Sequence, residues 1–123
     1  MRSFSVRIPQ KTRSTIPCAD MFGEVFLCEF PLTSGAASEV RPALVLFDLQ
    51  MDALICRVTS VVRSGPLDIA LLDWQSTGLL RPSVARLDRL VTAERTVFRR
   101  RLGILSARNR DAVRDRWNQQ MRL

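Results

Sequence analysis

Arg41-Pro42-Ala43-Leu44-Val45-Leu46-Phe47 is the stretch on which the fold turns. Pro42 restricts Arg41 to extended backbone and opens an apolar run to Phe47, the pattern of a buried strand with Arg41 at its mouth. Upstream, Val25 to Phe30 alternates weakly and predicts a first strand ending at Pro31. Between the two, Leu32 to Val40 mixes Thr, Ser, Gly and Ala without a period, the pattern of a mobile loop. Downstream, a third strand is expected from about Leu54 to Val62, then a turn at Ser64-Gly65-Pro66 and a fourth strand from Leu67 to Leu72. After a turn at Gly78, Ser83 to Val91 gives a fifth strand in which Val84, Arg86 and Asp88 share one face and Ala85, Leu87 and Arg89 the other. A turn near Ala93 to Val97 leads to a last strand, Arg100 to Leu105, and Ser106 is placed to cap a helix reaching Met121. On that helix Val113, Trp117 and Met121 form a core stripe, while Arg108, Arg110, Arg114, Arg116 and Arg122 take the wetter faces. Many short strands followed by one helix predict a mainly β (α+β) domain, a strongly bent antiparallel sheet or barrel with the C-terminal α-helix packed on it.

Composition bounds the function. The 123 residues fit one domain and carry a net charge of +7, which favours a polyanionic partner. The charge is uneven: residues 1–20 carry +3, 21–80 carry −4 and 81–123 carry +8. Eighteen of the 19 basic residues are Arg, whose planar fork suits phosphate and base stacking. Residues 1–20, with Arg2, Arg7, Lys11, Arg13, Pro9 and Pro17, are expected to form a basic, flexible arm. No apolar stretch approaches the roughly 20 residues of a membrane span. Cys18, Cys28 and Cys56 lack metal-ligand spacing, and a reducing cytoplasm fits them best. Cys28 and Cys56 lie in apolar runs, as small core residues do. The chain has no His, which excludes an imidazole mechanism, and it has no Gly-rich phosphate loop or Cys/His cluster, so neither a cofactor nor a bound metal is expected.

Three motifs recur at strand ends in a fixed order: Arg41-Pro42-Ala43-Leu44-Val45-Leu46, then Thr59-Ser60, then Arg81-Pro82-Ser83-Val84-Ala85-Arg86-Leu87-Asp88. With Gly23-Glu24-Val25-Phe26-Leu27 before them and Leu102-Gly103-Ile104-Leu105-Ser106 after, the set resembles the MazF/PemK family of toxin ribonucleases over roughly residues 21–121. The resemblance implies an SH3-like barrel, usually a homodimer, that cuts single-stranded RNA and is neutralised by a cognate acidic antitoxin. It also implies that Arg41 is the catalytic arginine before Pro, that Thr59 is the hydroxyl residue closing the third strand, and that Arg86 and Asp88 carry acid and base roles. The family often has Gly-Asp where this chain has Gly23-Glu24, and the basic N-terminal extension is unusual for it.

The residue types fit the chemistry. In metal-independent RNA cleavage the 2′-hydroxyl attacks its own phosphate, so the protein supplies a base, an acid and a cation rather than a nucleophile. Arg41 would stabilise the charge on phosphorus and Thr59 would orient an oxygen. Asp88 would serve as base beside Arg86, and Ser60, Arg81 and Ser83 would grip flanking phosphates or bases. Taken singly, each residue also reads as an ordinary strand-end or turn residue, and Arg86 with Asp88 as a same-face ion pair. Phe22, Phe30, Trp74 and Phe98 are available to stack bases and equally readable as core. Two other functions stay open: a non-catalytic module binding nucleic acid or protein, and a gyrase-poisoning toxin, whose characteristic C-terminus residues 117–123 do not resemble.

Overall fold

The computed structural model describes residues 22–31 and 37–123; the N-terminal arm, Cys18 and most of the loop after the first strand lie outside them. Six strands form one antiparallel sheet: β1 (Glu24–Pro31), β2 (Ser38–Leu49), β3 (Asp52–Thr59), β4 (Asp68–Leu71), β5 (Ser83–Glu94) and β6 (Phe98–Ile104). Their order in the sheet is β4-β5-β3-β2-β1-β6. Short 3₁₀ turns occupy Trp74–Thr77 and Arg95–Val97, and the C-terminal helix α1 spans Ala107–Gln120.

The expected strands and helix are present, with shifted ends. β2 starts at Ser38 because Ser38 and Glu39 pair with Pro31 and Phe30, so the last residues of the expected loop are strand. β3 stops at Thr59, not Val62: the Thr59 Oγ1 accepts the Val61 N–H (3.1 Å) and bends the chain out of the ladder. β5 continues to Glu94, so the turn expected from Ala93 shrinks to Arg95–Val97. β2 and β3 are joined by the two-residue turn Gln50-Met51, in which Gln50 has φ +75°. The Gln50 N–H donates to Asp48 Oδ1 (2.8 Å), and the Arg95 guanidinium bridges Asp48 and the Gln50 carbonyl, pinning the hairpin tip to the far end of β5.

Both faces of the sheet are covered, which explains why β2 reads as a continuous apolar run. Val25, Leu44, Leu46, Val58, Leu87 and Val113 pack on the helix side. On the other side Cys28, Phe30, Ala43, Val45, Ile55 and Ala93 form a second core with Phe26, Val97 and Phe98 packed against it. No ladder joins the edge strands β4 and β6 of the sheet. The 3₁₀ turn Trp74–Thr77 stands against β6 instead, at a backbone approach only glycine permits: a Cβ on Gly78 would meet the Leu102 carbonyl oxygen at 2.4 Å, and one on Gly103 the Thr77 carbonyl oxygen at 2.6 Å.

Helix α1 is capped as predicted. Ser106 Oγ accepts the Asn109 N–H (3.1 Å) and its hydroxyl donates to Asp73 Oδ2 (2.6 Å). Buried Asn109 accepts the Asp73 N–H (2.9 Å), and Arg108 donates to both Asp73 oxygens. Val113 is fully buried, and half-buried Trp117 meets Phe47 edge-on at 5.6 Å. Two of the arginines assigned to wet faces are in fact half-buried struts: Arg110 donates to the Leu105 carbonyl (2.7 Å), and Arg116 to those of Pro66 and Asp68 (both 2.9 Å). No helix among the described residues is long and apolar enough to cross a membrane.

Candidate functional site

The first half of β2, the end of β3, the segment leading into β5 and the middle of β6 surround a cavity of about 480 Å3. Pro42, Leu27 and Arg100 lie in register across β2, β1 and β6 and form one wall. Thr59, Ser60, Arg81 and Ser83 form the other, with Leu79 and Leu102 adding apolar surface. Two features of local sequence aim these groups. Pro42 keeps Arg41 extended within the first half of β2. The Thr59 turn ends β3 so that Ser60 and Val61 face the opening rather than a neighbouring strand.

Arg41 is exposed and lines the cavity, and its Nε donates to Glu39 Oε1 (2.9 Å). Arg57 donates to the other Glu39 oxygen (3.2 Å), and its guanidinium lies 4.7 Å from the Phe30 ring centroid. Glu39 thus links two cations on one sheet face and leaves the terminal nitrogens of Arg41 for a ligand. The buried Ser83 hydroxyl donates to the Arg81 carbonyl (2.8 Å), which stiffens the approach to β5.

The cavity therefore gathers Arg41, Thr59, Ser60, Arg81 and Ser83, while Arg86 and Asp88 do not line it. Alternation turns Ala85 and Leu87 into the helix-side core and Arg86 to the opposite face, directly across from Arg57. There Arg86 stands between two carboxylates, Asp68 at 3.5 Å and Asp88 at 3.6 Å. Asp88 belongs to a bulge, residues 87–89, that has no counterpart on β3. None of the four aromatic candidates lines the cavity: Phe30 and Phe98 belong to the second core, and Phe22 and Trp74 pack against the first.

Glu39 and Arg100 were missed in the sequence. The signal for Arg100 was the run Arg99-Arg100-Arg101 on a strand, where alternate residues must face opposite ways. Arg99 pairs with Glu29 and Arg101 with Glu24, so the outer two are neutralised. Arg100 faces the cavity and has no acidic partner among the described residues. Glu39 fell in a segment read as loop.

Cys28 and Cys56 are fully buried, and burial pushes both thiols up to about 12, which removes them as nucleophiles. Among the described residues no group of three His, Cys, Asp or Glu side chains converges as a metal site would require.

The profile of the PemK-like, MazF-like toxins of type II toxin-antitoxin systems matches residues 21–121. No curated protein sequence matches the chain. Among solved structures, an endoribonuclease from Mycobacterial species in complex with its cognate antitoxin is similar at TM-score 0.69 and 17% identity, over 84% of this chain and 95% of that one. The Mycobacterium tuberculosis toxin MazF-mt6 is similar at TM-score 0.65 and 19% identity, over 78% and 93%. The MazE-MazF structure from Deinococcus radiodurans is similar at TM-score 0.65 and 22% identity, over 85% and 96%. These likenesses extend to the fold.

Proposed function

The chain belongs to the PemK-like, MazF-like toxins of type II toxin-antitoxin systems, and on that premise we propose that its cavity cleaves single-stranded RNA sequence-specifically and without a metal. The observation that carries the reading is the convergence of Arg41 and Thr59, from adjacent strands, on one cavity edged by two further arginines, Arg81 and Arg100.

In this reading the scissile phosphate lies against the terminal nitrogens of Arg41, which stabilise the negative charge that develops as the 2′-hydroxyl attacks phosphorus. The bond to the 5′-oxygen breaks and that oxygen takes a proton from Arg41, which is reprotonated from water, or directly from water, leaving a 2′,3′-cyclic phosphate and a 5′-hydroxyl. Thr59 orients a phosphate oxygen or the attacking hydroxyl, and Ser60, Arg81 and Ser83 hold the flanking nucleotide. The proton of the attacking hydroxyl goes to a carboxylate. Glu39, bonded to Arg41, takes that role ahead of Asp88, which lies off the cavity beside Arg86. Arg86 and Asp88 then act indirectly, by holding the face on which Arg57 and Glu39 stand.

The partner in this reading is a cognate acidic antitoxin, drawn to the net charge of +7; a related Mycobacterial endoribonuclease has been solved with its own antitoxin. A homodimer in a cytoplasmic setting completes it.

The test is incubation of the purified, antitoxin-free protein with mixed-sequence single-stranded RNA in excess EDTA, beside the same RNA with 2′-deoxy substitutions and an Arg41→Ala variant. Discrete cleavage lost with either change is expected. Intact RNA with folded protein overturns the reading in favour of a binding module, or of a gyrase poison if gyrase-dependent DNA breaks appear. An Arg41→Ala enzyme that cleaves at the wild-type rate removes Arg41 from the mechanism. The base is decided by pH–rate profiles: Glu39→Gln loses the acidic limb and Asp88→Asn keeps it, and the reverse returns the role to Asp88.

A further inference from the structure

We propose that Arg100 grips the RNA phosphate neighbouring the scissile one, which makes the strand β6 wall of the cavity a phosphate subsite; this rests on the ribonuclease reading above. Three observations converge on it. Arg100 lies two strands from Pro42 in the same row, and strands about 4.8 Å apart put the two Cα atoms roughly 10 Å from each other. By strand alternation Arg41 leaves the sheet on the opposite face from Pro42 and Arg100, so the two guanidiniums reach the shared cavity from different sides and cannot close on the same oxygen atoms. The outer arginines of the β6 run are held by Glu29 and Glu24, whereas Arg100 lines the cavity with no acid paired to it among the described residues. The wall around it is apolar, with Leu27, Leu79 and Leu102. Arg100 itself is exposed, so its guanidinium is free to meet a phosphate entering the cavity along that wall.

A phosphate grip remote from the bond that breaks contributes equally to ground and transition states, so its loss raises KM and leaves kcat unchanged. Arg100 has no ion-pair or hydrogen-bond partner among the described residues to abandon, so its removal leaves the fold intact; Arg100→Ala should melt within about 2 °C of wild type, as exposed surface substitutions do.

The experiment uses an oligoribonucleotide that the wild-type chain cuts once, prepared with a neutral methylphosphonate at each phosphate flanking the cut in turn. Arg100→Ala is expected to raise KM about tenfold or more, as loss of a charge-assisted bond does. The slope of log(kcat/KM) against log[salt] should fall by about 0.7, the value for one phosphate contact on a single strand. One methylphosphonate position should cost the wild type severalfold and the variant nothing, and that position names the phosphate. Arg100→Lys should recover part of the loss, because it keeps the charge without the fork. The inference is overturned if every methylphosphonate costs the variant what it costs the wild type, or if kcat falls and KM does not. If the wild type cuts no RNA, the ribonuclease reading fails by itself, and the same salt slopes are read on binding of a mixed-sequence 2′-deoxy strand. Equal slopes for wild type and variant there overturn the subsite as well.

Discussion

Replacing Gly103 by Ala tests the seam that stands in for a closed barrel. The added Cβ would lie 2.6 Å from the Thr77 carbonyl oxygen and 3.0 Å from its carbon. Carbon–oxygen contacts in proteins are ordinarily no closer than about 3.3 Å, so the 3₁₀ turn and β6 must part by roughly 0.7 Å or more. The turn has little freedom to retreat: Thr77 is fully buried, the Leu79 N–H donates to the Trp74 carbonyl (3.2 Å), and Asp73 just before the turn is tied to Ser106, Arg108 and Asn109. Overpacking of this kind costs about 1–3 kcal/mol. With a urea slope near 1.5 kcal/mol/M, a cost of about 2 kcal/mol lowers the unfolding midpoint by about 1.3 M. Gly78→Ala should cost more, because its Cβ meets the Leu102 backbone at 2.4 Å and its φ is +84°. Because Gly78, Leu79 and Leu102 line the cavity, Gly103→Ala should also lose more cleavage than its folded fraction explains. Equilibrium urea melts followed by tryptophan fluorescence supply the numbers. A Gly103→Ala midpoint within 0.2 M of wild type, a bound of about 0.3 kcal/mol at that slope, would refute the argument, since the seam would then have room to spare.

Three further outcomes follow from the same structure. The Asp73 carboxyl is held below the usual carboxylate range, first by its bond from Arg108 and then by that from Ser106. Its charged form therefore stabilises the fold above the ordinary value near 4, and that contribution fades as the pH falls through the lower native value; Asp73→Asn should flatten the acid limb of the urea midpoint between pH 6 and 2.5, and parallel curves would remove Asp73 from acid stability. Val113, 1% exposed on the core face of α1, should lose about 2 kcal/mol on truncation to Ala, and calorimetry showing an unchanged Tm would mean that α1 does not seal this core. With both buried thiols pushed up to about 12, a Cys18→Ser protein should release no thiol to a disulfide reagent at pH 8 until urea unfolds it, whereas immediate native reaction would place Cys28 or Cys56 nearer the surface.

The sequence was legible where local rules and burial agree. The Ser106 cap and the Val113-Trp117 stripe each carry their own signal, and the structure places them as read; Arg41, read at the mouth of the second strand, is instead its fourth residue, because pairing with β1 extends β2 back to Ser38. Strand ends were less legible because side chains fixed them: the Thr59 hydroxyl ended β3 early, and pairing with β1 drew Ser38 and Glu39 into β2. Arg86 and Asp88 illustrate a different limit. Their shared face was readable from the two-residue period, but which face meets the cavity depends on bend and bulge, and the extra residues 87–89 have no mark in composition. The seam at Gly78 and Gly103 is a contact between segments some 25 residues apart, which no local pattern encodes.

The pairing of β1 with β6 also governs when the cavity comes into being during synthesis. Leu27 is made early and its neighbour Arg100 more than 70 residues later, yet both belong to one wall. Contacts that distant in sequence form late because the intervening loop must first be closed. A chain still leaving the ribosome can pair β1, β2 and β3 and display Arg41 and Thr59, but it lacks the β6 wall with Arg100 and Leu102. The half-made protein would thus carry its arginine without the wall that completes the cavity and, on the ribonuclease reading proposed above, would spare the messenger from which it is being read.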